Sequence, residues 1–133
     1  MVGGVDPNVS QFGLAELGQI SVTVSDLDRA VGFYRDVLGL KHLFSAPPGL
    51  AFFACGSVRL MLSRPEQPDG ERLSAALYFK VPDIESARAA LVGRGVVFEA
   101  EPHLMARMPD HELWMGFFRD PDRHLLAVMC EKR

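Results

Sequence analysis

The stretch ISVTVSDLDRAVGFYRDVLGL, residues 20–40, decides the fold. With Gln19 before it, its opening alternates strictly. Ile20, Val22 and Val24 fall on one face and Gln19, Ser21 and Thr23 on the other, which is the pattern of a half-buried strand. Ser25, followed three residues later by Asp28, resembles a capping box. Leu27, Ala30, Val31, Tyr34 and Leu38 then recur at helical spacing until Gly39 supplies a C-cap, so a helix of about three turns is predicted. Three short strands are predicted next, near 40–45, 50–55 and 57–63, separated by Pro47-Pro48-Gly49 and by Gly56.

Residues 64–72, with Pro65, Pro68, Asp69 and Gly70, have the composition of a linker, and beyond them the pattern restarts. Ala76 to Val81 alternates, Pro82-Asp83 opens a helix carrying Ile84, Ala87 and Leu91 on one face, and Gly93 and Gly95 close it. Strands are predicted near 96–101, 113–118 and 124–130. The halves match at an offset of 57 residues: Val24 with Val81, Asp26 with Asp83, Leu27 with Ile84, Asp28 with Glu85, Ala30 with Ala87. The expected class is therefore α+β, two β-α-β-β-β modules forming a curved mixed sheet. One short helix per module cannot cover both sheet faces, so an open cavity is left as the ligand site. Residues 1–15 lack periodicity and are expected to be a flexible tail. Residues 16–133 form a single domain, with module one at 17–63, the linker at 64–72 and module two at 73–131.

A length of 133 residues suits one domain that buries roughly two-thirds of its unfolded surface without disulfides or structural metal. Apolar residues at 48% and charged residues at 23% describe a globular chain rather than a disordered one. A net charge of −3 and the lack of a basic cluster argue against nucleic acid as a partner. No stretch approaches the ~20 apolar residues that span a bilayer, so no membrane partner is expected. Met1 to Gly13 has neither a basic start nor an apolar core of a signal peptide, and Cys55 and Cys130 read as reduced thiols within apolar runs. A soluble, cytoplasmic protein is expected.

Three motifs, ISVTVSDLDRAVGFYRDVLGL, LYFKVPDIESARAAL and GFFRDPDRHLLAV, together resemble the glyoxalase/bleomycin resistance protein/dioxygenase (vicinal oxygen chelate) superfamily over residues 17–131. The segment PDHELWMGFF is similar to one in an uncharacterised bacterial subgroup of it, which has no activity to transfer. The resemblance implies the two-module fold and a homodimer. It does not specify chemistry, because the superfamily spans isomerases, epimerases, lyases, dioxygenases and metal-free drug binders. In metal-dependent relatives four strand positions hold a divalent ion, and on this chain they fall on Gln19, Met61, Ala76 and Ala127. Only Gln19 offers an oxygen to a hard cation, so no metal and no cofactor are expected.

If Gln19 faces the cavity, alternation brings Ser21 and Thr23 with it, then Tyr78 and Lys80, Arg59, Met61 and Ser63, and Leu125, Ala127 and Met129. Arg59 and Lys80 read as rim charges. Residues 101–118, EPHLMARMPDHELWMGFF, carry two of the four histidines, the only tryptophan and three of the six methionines, and are expected to form a long loop over the cavity. The candidate ligand-binding residues are Gln19, Ser21, Met61, Tyr78, His103, Met105, His111, Trp114 and Ala127. His42 and His124 are expected to be exposed at strand ends. The leading reading is a metal-free binder of a small aromatic or amphipathic organic molecule, of the sequestration or resistance type. The alternative is a glyoxalase- or epimerase-like lyase or isomerase. It would use His103 or His111 as acid/base and Gln19 or Tyr78 to polarise a carbonyl.

Overall fold

The protein is described from a computed structural model covering residues 15–65 and 75–133. The expected tail, except for residue 15, and most of the expected linker lie outside the described residues. Strand β1 (Gln19–Thr23) leads into α1 (Leu27–Gly32), which widens into a π-helical turn over Phe33–Val37. Strands β2 (Lys41–Ala46), β3 (Leu50–Cys55) and β4 (Val58–Ser63) follow. The second module repeats the order as β5 (Leu77–Lys80), α2 (Ile84–Gly93), β6 (His103–Arg107), β7 (Glu112–Arg119) and β8 (Leu125–Lys132).

Each module builds one four-stranded sheet, ordered β1-β4-β3-β2 and β5-β8-β7-β6. In both, the first strand pairs with the last in parallel and the remaining neighbours are antiparallel. The fold is thus the expected α+β repeat, built as two mixed sheets. Alternation decides which face is buried. Val22, Leu60, Leu62, Ala51 and Phe53 of the first sheet join Leu77, Leu126, Val128, Cys130 and Phe118 of the second in one core beneath the helices. Gln19, Ser21, Arg59, Met61 and Phe52, with Tyr78, Lys80 and Phe117 of the second sheet, take the opposite phase on the open faces.

Local chemistry accounts for the helix ends. Asp26 caps α1 by accepting from the Arg29 backbone N–H at 3.1 Å, and Asp83 caps α2 by accepting from Glu85 and Ser86. The first cap is therefore Asp26, one residue beyond the predicted Ser25. Both side chains are competent caps, and Ser25 instead accepts from the Arg29 guanidinium at 3.1 Å. Gly39 and Gly95 follow the helices at φ +78° and +96°, a region open to glycine at little cost.

One predicted strand is displaced. Residues 96–101 form no strand, and the edge strand is β6 at His103–Arg107. Val96 and Phe98 alternate inward because Phe98 packs over Gly116, where an added Cβ would lie 3.1 Å from its ring. Burial produced the period of two there without ladder pairing. As a result, 101–118 is no lid: β6 and β7 pair as a hairpin whose turn is closed by the Met108 N–H donating to the His111 carbonyl at 2.8 Å.

The modules are tied by the turn between β7 and β8. Asp122 accepts from the Ser25 backbone N–H at 2.9 Å, next to the start of α1. His124 Nε2 donates to the Thr23 carbonyl at 2.7 Å, so this histidine bridges modules rather than standing exposed. His42 also differs from expectation. Its ring lies 5.3 Å from that of Phe53, half-buried, and bonds the Ser45 hydroxyl at 2.9 Å.

Candidate functional site

The open face of the first sheet carries a continuous polar and aromatic array. Gln19 and Arg59 are register partners, and Arg59 Nε donates to Gln19 Oε1 at 2.9 Å. The Gln19 amide nitrogen points to the Met61 sulfur at 3.8 Å. The Arg59 guanidinium lies over the Phe52 ring, 5.4 Å from its centroid, and Phe52 stacks on Phe44 at 4.6 Å. Ser21 pairs with Met61 in the strand register and completes the first-sheet candidates.

The open face of the second sheet is aromatic. Ala127 is the register partner of both Tyr78 and Phe117, whose rings meet edge to face at 6.2 Å. Ala127 is only 1% exposed, flanked by those two residues, so this candidate offers a ligand almost no surface of its own. Tyr78 is 48% exposed and is the accessible surface at this point. His103 lies on β6 beside Phe117, ring centres 6.4 Å apart, and its Nδ1 is 3.1 Å from the Glu101 carbonyl. Donation to that carbonyl places the ring proton on Nδ1 and leaves Nε2 as an acceptor.

Trp114 and His111 are not brought to this face. Trp114 is the register partner of Leu104 and Cys130 on the helix side, with its indole N–H on Glu112 at 3.0 Å and Lys132 over its ring at 4.4 Å. His111 sits at the hairpin turn, 2.7 Å from the Asp110 carboxylate, in a polar surface groove with Arg107, Lys132 and Arg133. Met105 occupies the bulge in β6 and is 47% exposed. The long-loop expectation grouped all three with the cavity. Alternation along β7 turns Trp114 away, because Trp114 and Phe117 fall on opposite faces, and His111 lies in the hairpin turn at the end of the sheet.

Phe44 and Phe52 are functional candidates that only the structure brings forward. A signal for Phe52 was present, since Phe52 and Phe53 are adjacent in a strand and only one of them can enter the core. A second cleft of about 220 Å³ lies on the helix side, lined by Leu38, Leu40, Phe79, Leu91 and Phe118 among others, and is apolar apart from Arg94. Arg94 Nη1 donates to the Val37 carbonyl at 3.0 Å there, which joins the two modules.

The four positions that hold a divalent ion in metal-dependent relatives do not suit one here. The Gln19 oxygen is engaged by a guanidinium, whose charge repels a cation, and Met61, Ala76 and Ala127 supply no hard donor. Among the described residues, no three His, Cys, Asp or Glu side chains are grouped to hold a metal.

The duplicated β-α-β-β-β unit with an open sheet face defines a class, and the comparison with known families agrees: the chain belongs to the Glyoxalase/Bleomycin resistance protein/Dioxygenase superfamily, whose model matches residues 16–128. It is similar to the uncharacterised protein YraH of Bacillus subtilis (strain 168), at 31% identity over 129 residues, covering 85% of this chain and 96% of YraH. Among solved structures it resembles a lactoylglutathione lyase from Agrobacterium tumefaciens, with TM-score 0.73 and 24% identity, covering 89% of this chain and 95% of that one. It also resembles TnmS3, an antibiotic binding protein from Streptomyces sp. CB03234, with TM-score 0.71 and 22% identity, covering 91% and 99%. Those two likenesses establish the fold.

Proposed function

We propose that this protein binds a small aromatic or amphipathic organic molecule on its open sheet faces, in the manner of a sequestering or resistance protein. The observation that carries the reading is the Gln19–Arg59 pair. Where metal-dependent relatives present hard ligands, this chain presents an amide already engaged by a guanidinium, a thioether at Met61, and exposed rings at Phe44 and Tyr78. Such a surface has affinity for a planar organic molecule and little for a cation. Gln19, Ser21, Met61 and Tyr78 contact the ligand in this proposal, with His103 at the edge of the site. A neighbour in fold that binds an antibiotic and another that is a lyase indicate that the architecture serves both binding and catalysis.

Native mass spectrometry of freshly purified protein, followed by calorimetric screening of planar aromatic compounds, tests the reading. A co-purified organic compound or a saturable hit with one site per chain is the expected result. A library without a saturable hit, together with a stoichiometric metal, overturns it. One observation favours the lyase or isomerase alternative: on the open face His103 is held by its Nδ1 bond to the Glu101 carbonyl, and among the described residues its Nε2 has no hydrogen-bond partner. Removal of a general base lowers turnover by about 10²- to 10⁴-fold, so conversion of a bound compound that His103→Ala abolishes would select the enzyme.

A further inference from the structure

The four strands of the first sheet read QISVT, KHLFSA, LAFFAC and VRLMLS; they hold two cations, Lys41 and Arg59, and not one Asp or Glu. These acid-free strands belong to a chain of net charge −3, so their positive charge is local. Lys41 is the register partner of Ala54, the neighbour of Arg59 in the adjoining strand, and so projects to the same open face. Arg59 is held in a fixed pose. Its Nε is bonded to Gln19 Oε1 at 2.9 Å and its plane lies over Phe52 at 5.4 Å. An arginine carries five N–H donors, and among the described residues only the one at Nε is used. Among the described residues no carboxylate pairs with Arg59, and its four terminal donors have no partner.

We infer that the ligand of this face is an aromatic carboxylic acid, its carboxylate taken end-on by the two Nη nitrogens of Arg59 and its ring laid against the exposed ring of Phe44. The inference rests on the small-molecule reading above and narrows it to a charge type. A guanidinium fork matches a carboxylate with two parallel hydrogen bonds, and pre-orientation by Gln19 and Phe52 lowers the entropy lost on binding. The stacked pair Phe44–Phe52, at 4.6 Å, extends the apolar surface beside the charge, which is the geometry of a ring bearing an acid. In place of a divalent ion, the chain's own guanidinium supplies the positive charge at this end of the face.

Calorimetry with 2-naphthoate and its near-isosteric neutral amide, 2-naphthamide, tests the assignment on the full chain. The acid is expected to bind at least tenfold more tightly than the amide, with a preference that shrinks as salt rises. Arg59→Met is expected to abolish the preference for the acid over the amide, and its far-UV circular dichroism checks that it folds. Arg59→Lys keeps the charge but loses the fork and is expected to retain only part of the preference. As an independent readout, the ¹⁵Nε–¹H signal of Arg59 should shift on titration with 2-naphthoate. Equal binding of acid and amide, unaffected by Arg59→Met, overturns this inference and leaves the small-molecule reading intact. So does a neutral co-purified compound with no binding of the acid. Absence of any organic ligand in either experiment overturns both.

Discussion

The Tyr34 hydroxyl donates a 2.8 Å hydrogen bond to Oδ2 of Asp120, joining the helix of one module to the turn of the other across 86 residues of sequence. Both side chains are buried, at 0% and 3% exposure. The other oxygen of Asp120 accepts from the backbone N–H groups of Asp122 and His124 at 2.9 and 2.8 Å, which shapes the turn that docks on β1. Replacing Tyr34 by Phe keeps the ring and strands one carboxylate oxygen in the core. A buried charged acceptor without its partner costs about 1.5–3 kcal/mol, so the urea midpoint of Tyr34→Phe should fall accordingly with an unchanged slope. A midpoint within error of the parent protein would refute this.

Burial, and then the neighbouring Asp120 carboxylate, push the Tyr34 phenol well above its usual range. The unfolded chain therefore releases this proton near pH ~10 while the folded chain retains it. Stability from this group is fully present below that pH and declines above it, by at most about 1.4 kcal/mol per pH unit. Urea titrations from pH 8 to pH 11 should show the decline in the parent protein and a shallower one in Tyr34→Phe. Parallel curves would contradict the assignment.

Arg123 is the one non-glycine residue at positive φ among the described residues, at +70°. A side chain in this region costs about 1–2 kcal/mol, and glycine recovers that while adding roughly 0.5–1 kcal/mol of unfolded-state entropy. Arg123→Gly should therefore stabilise the fold by about 0.5–1 kcal/mol, visible as a rise of a few degrees in Tm. The bond from Arg119 to the Arg123 carbonyl, at 3.2 Å, uses backbone and survives the change.

Elemental analysis after purification without added metal should find well under one equivalent of Ni, Zn, Mn, Fe or Co per chain. The reason is the donor set, in which the Gln19 oxygen already faces a guanidinium at 2.9 Å. A stoichiometric ion whose removal by chelator abolishes activity would reverse the reading.

A homodimer is expected in solution. The edge strand β2 is open along one side and carries Leu43 at 41% exposure, an edge suited to cover by a second copy. Light scattering should give twice the mass of the 133-residue chain. A concentration-independent monomer mass would exclude the dimer.

Much of this molecule was legible in its sequence, because the physics involved is local. Period-two alternation alone sorts Gln19, Ser21, Arg59, Met61, Tyr78 and Lys80 onto one phase, and Asp83 and Gly39 mark helix ends through their own side-chain and backbone chemistry. The repeat at 57 residues carried the fold class. Alternation, however, states only which residues share a face of one strand, not which strands pair or what lies across from them. Residues 96–101 alternate because Phe98 is buried over Gly116, yet they pair as no strand. Trp114 and Ala127 illustrate the same gap: one turns to the helices, and the other is buried, flanked by Tyr78 and Phe117 of the neighbouring strands. The grip of Gln19 on Arg59 and the bond from Tyr34 to Asp120 join residues 40 and 86 positions apart. The first depends on which strands pair within a module and the second on how the two modules pack, neither of which a local pattern of side chains encodes, and so the tertiary structure alone decided them.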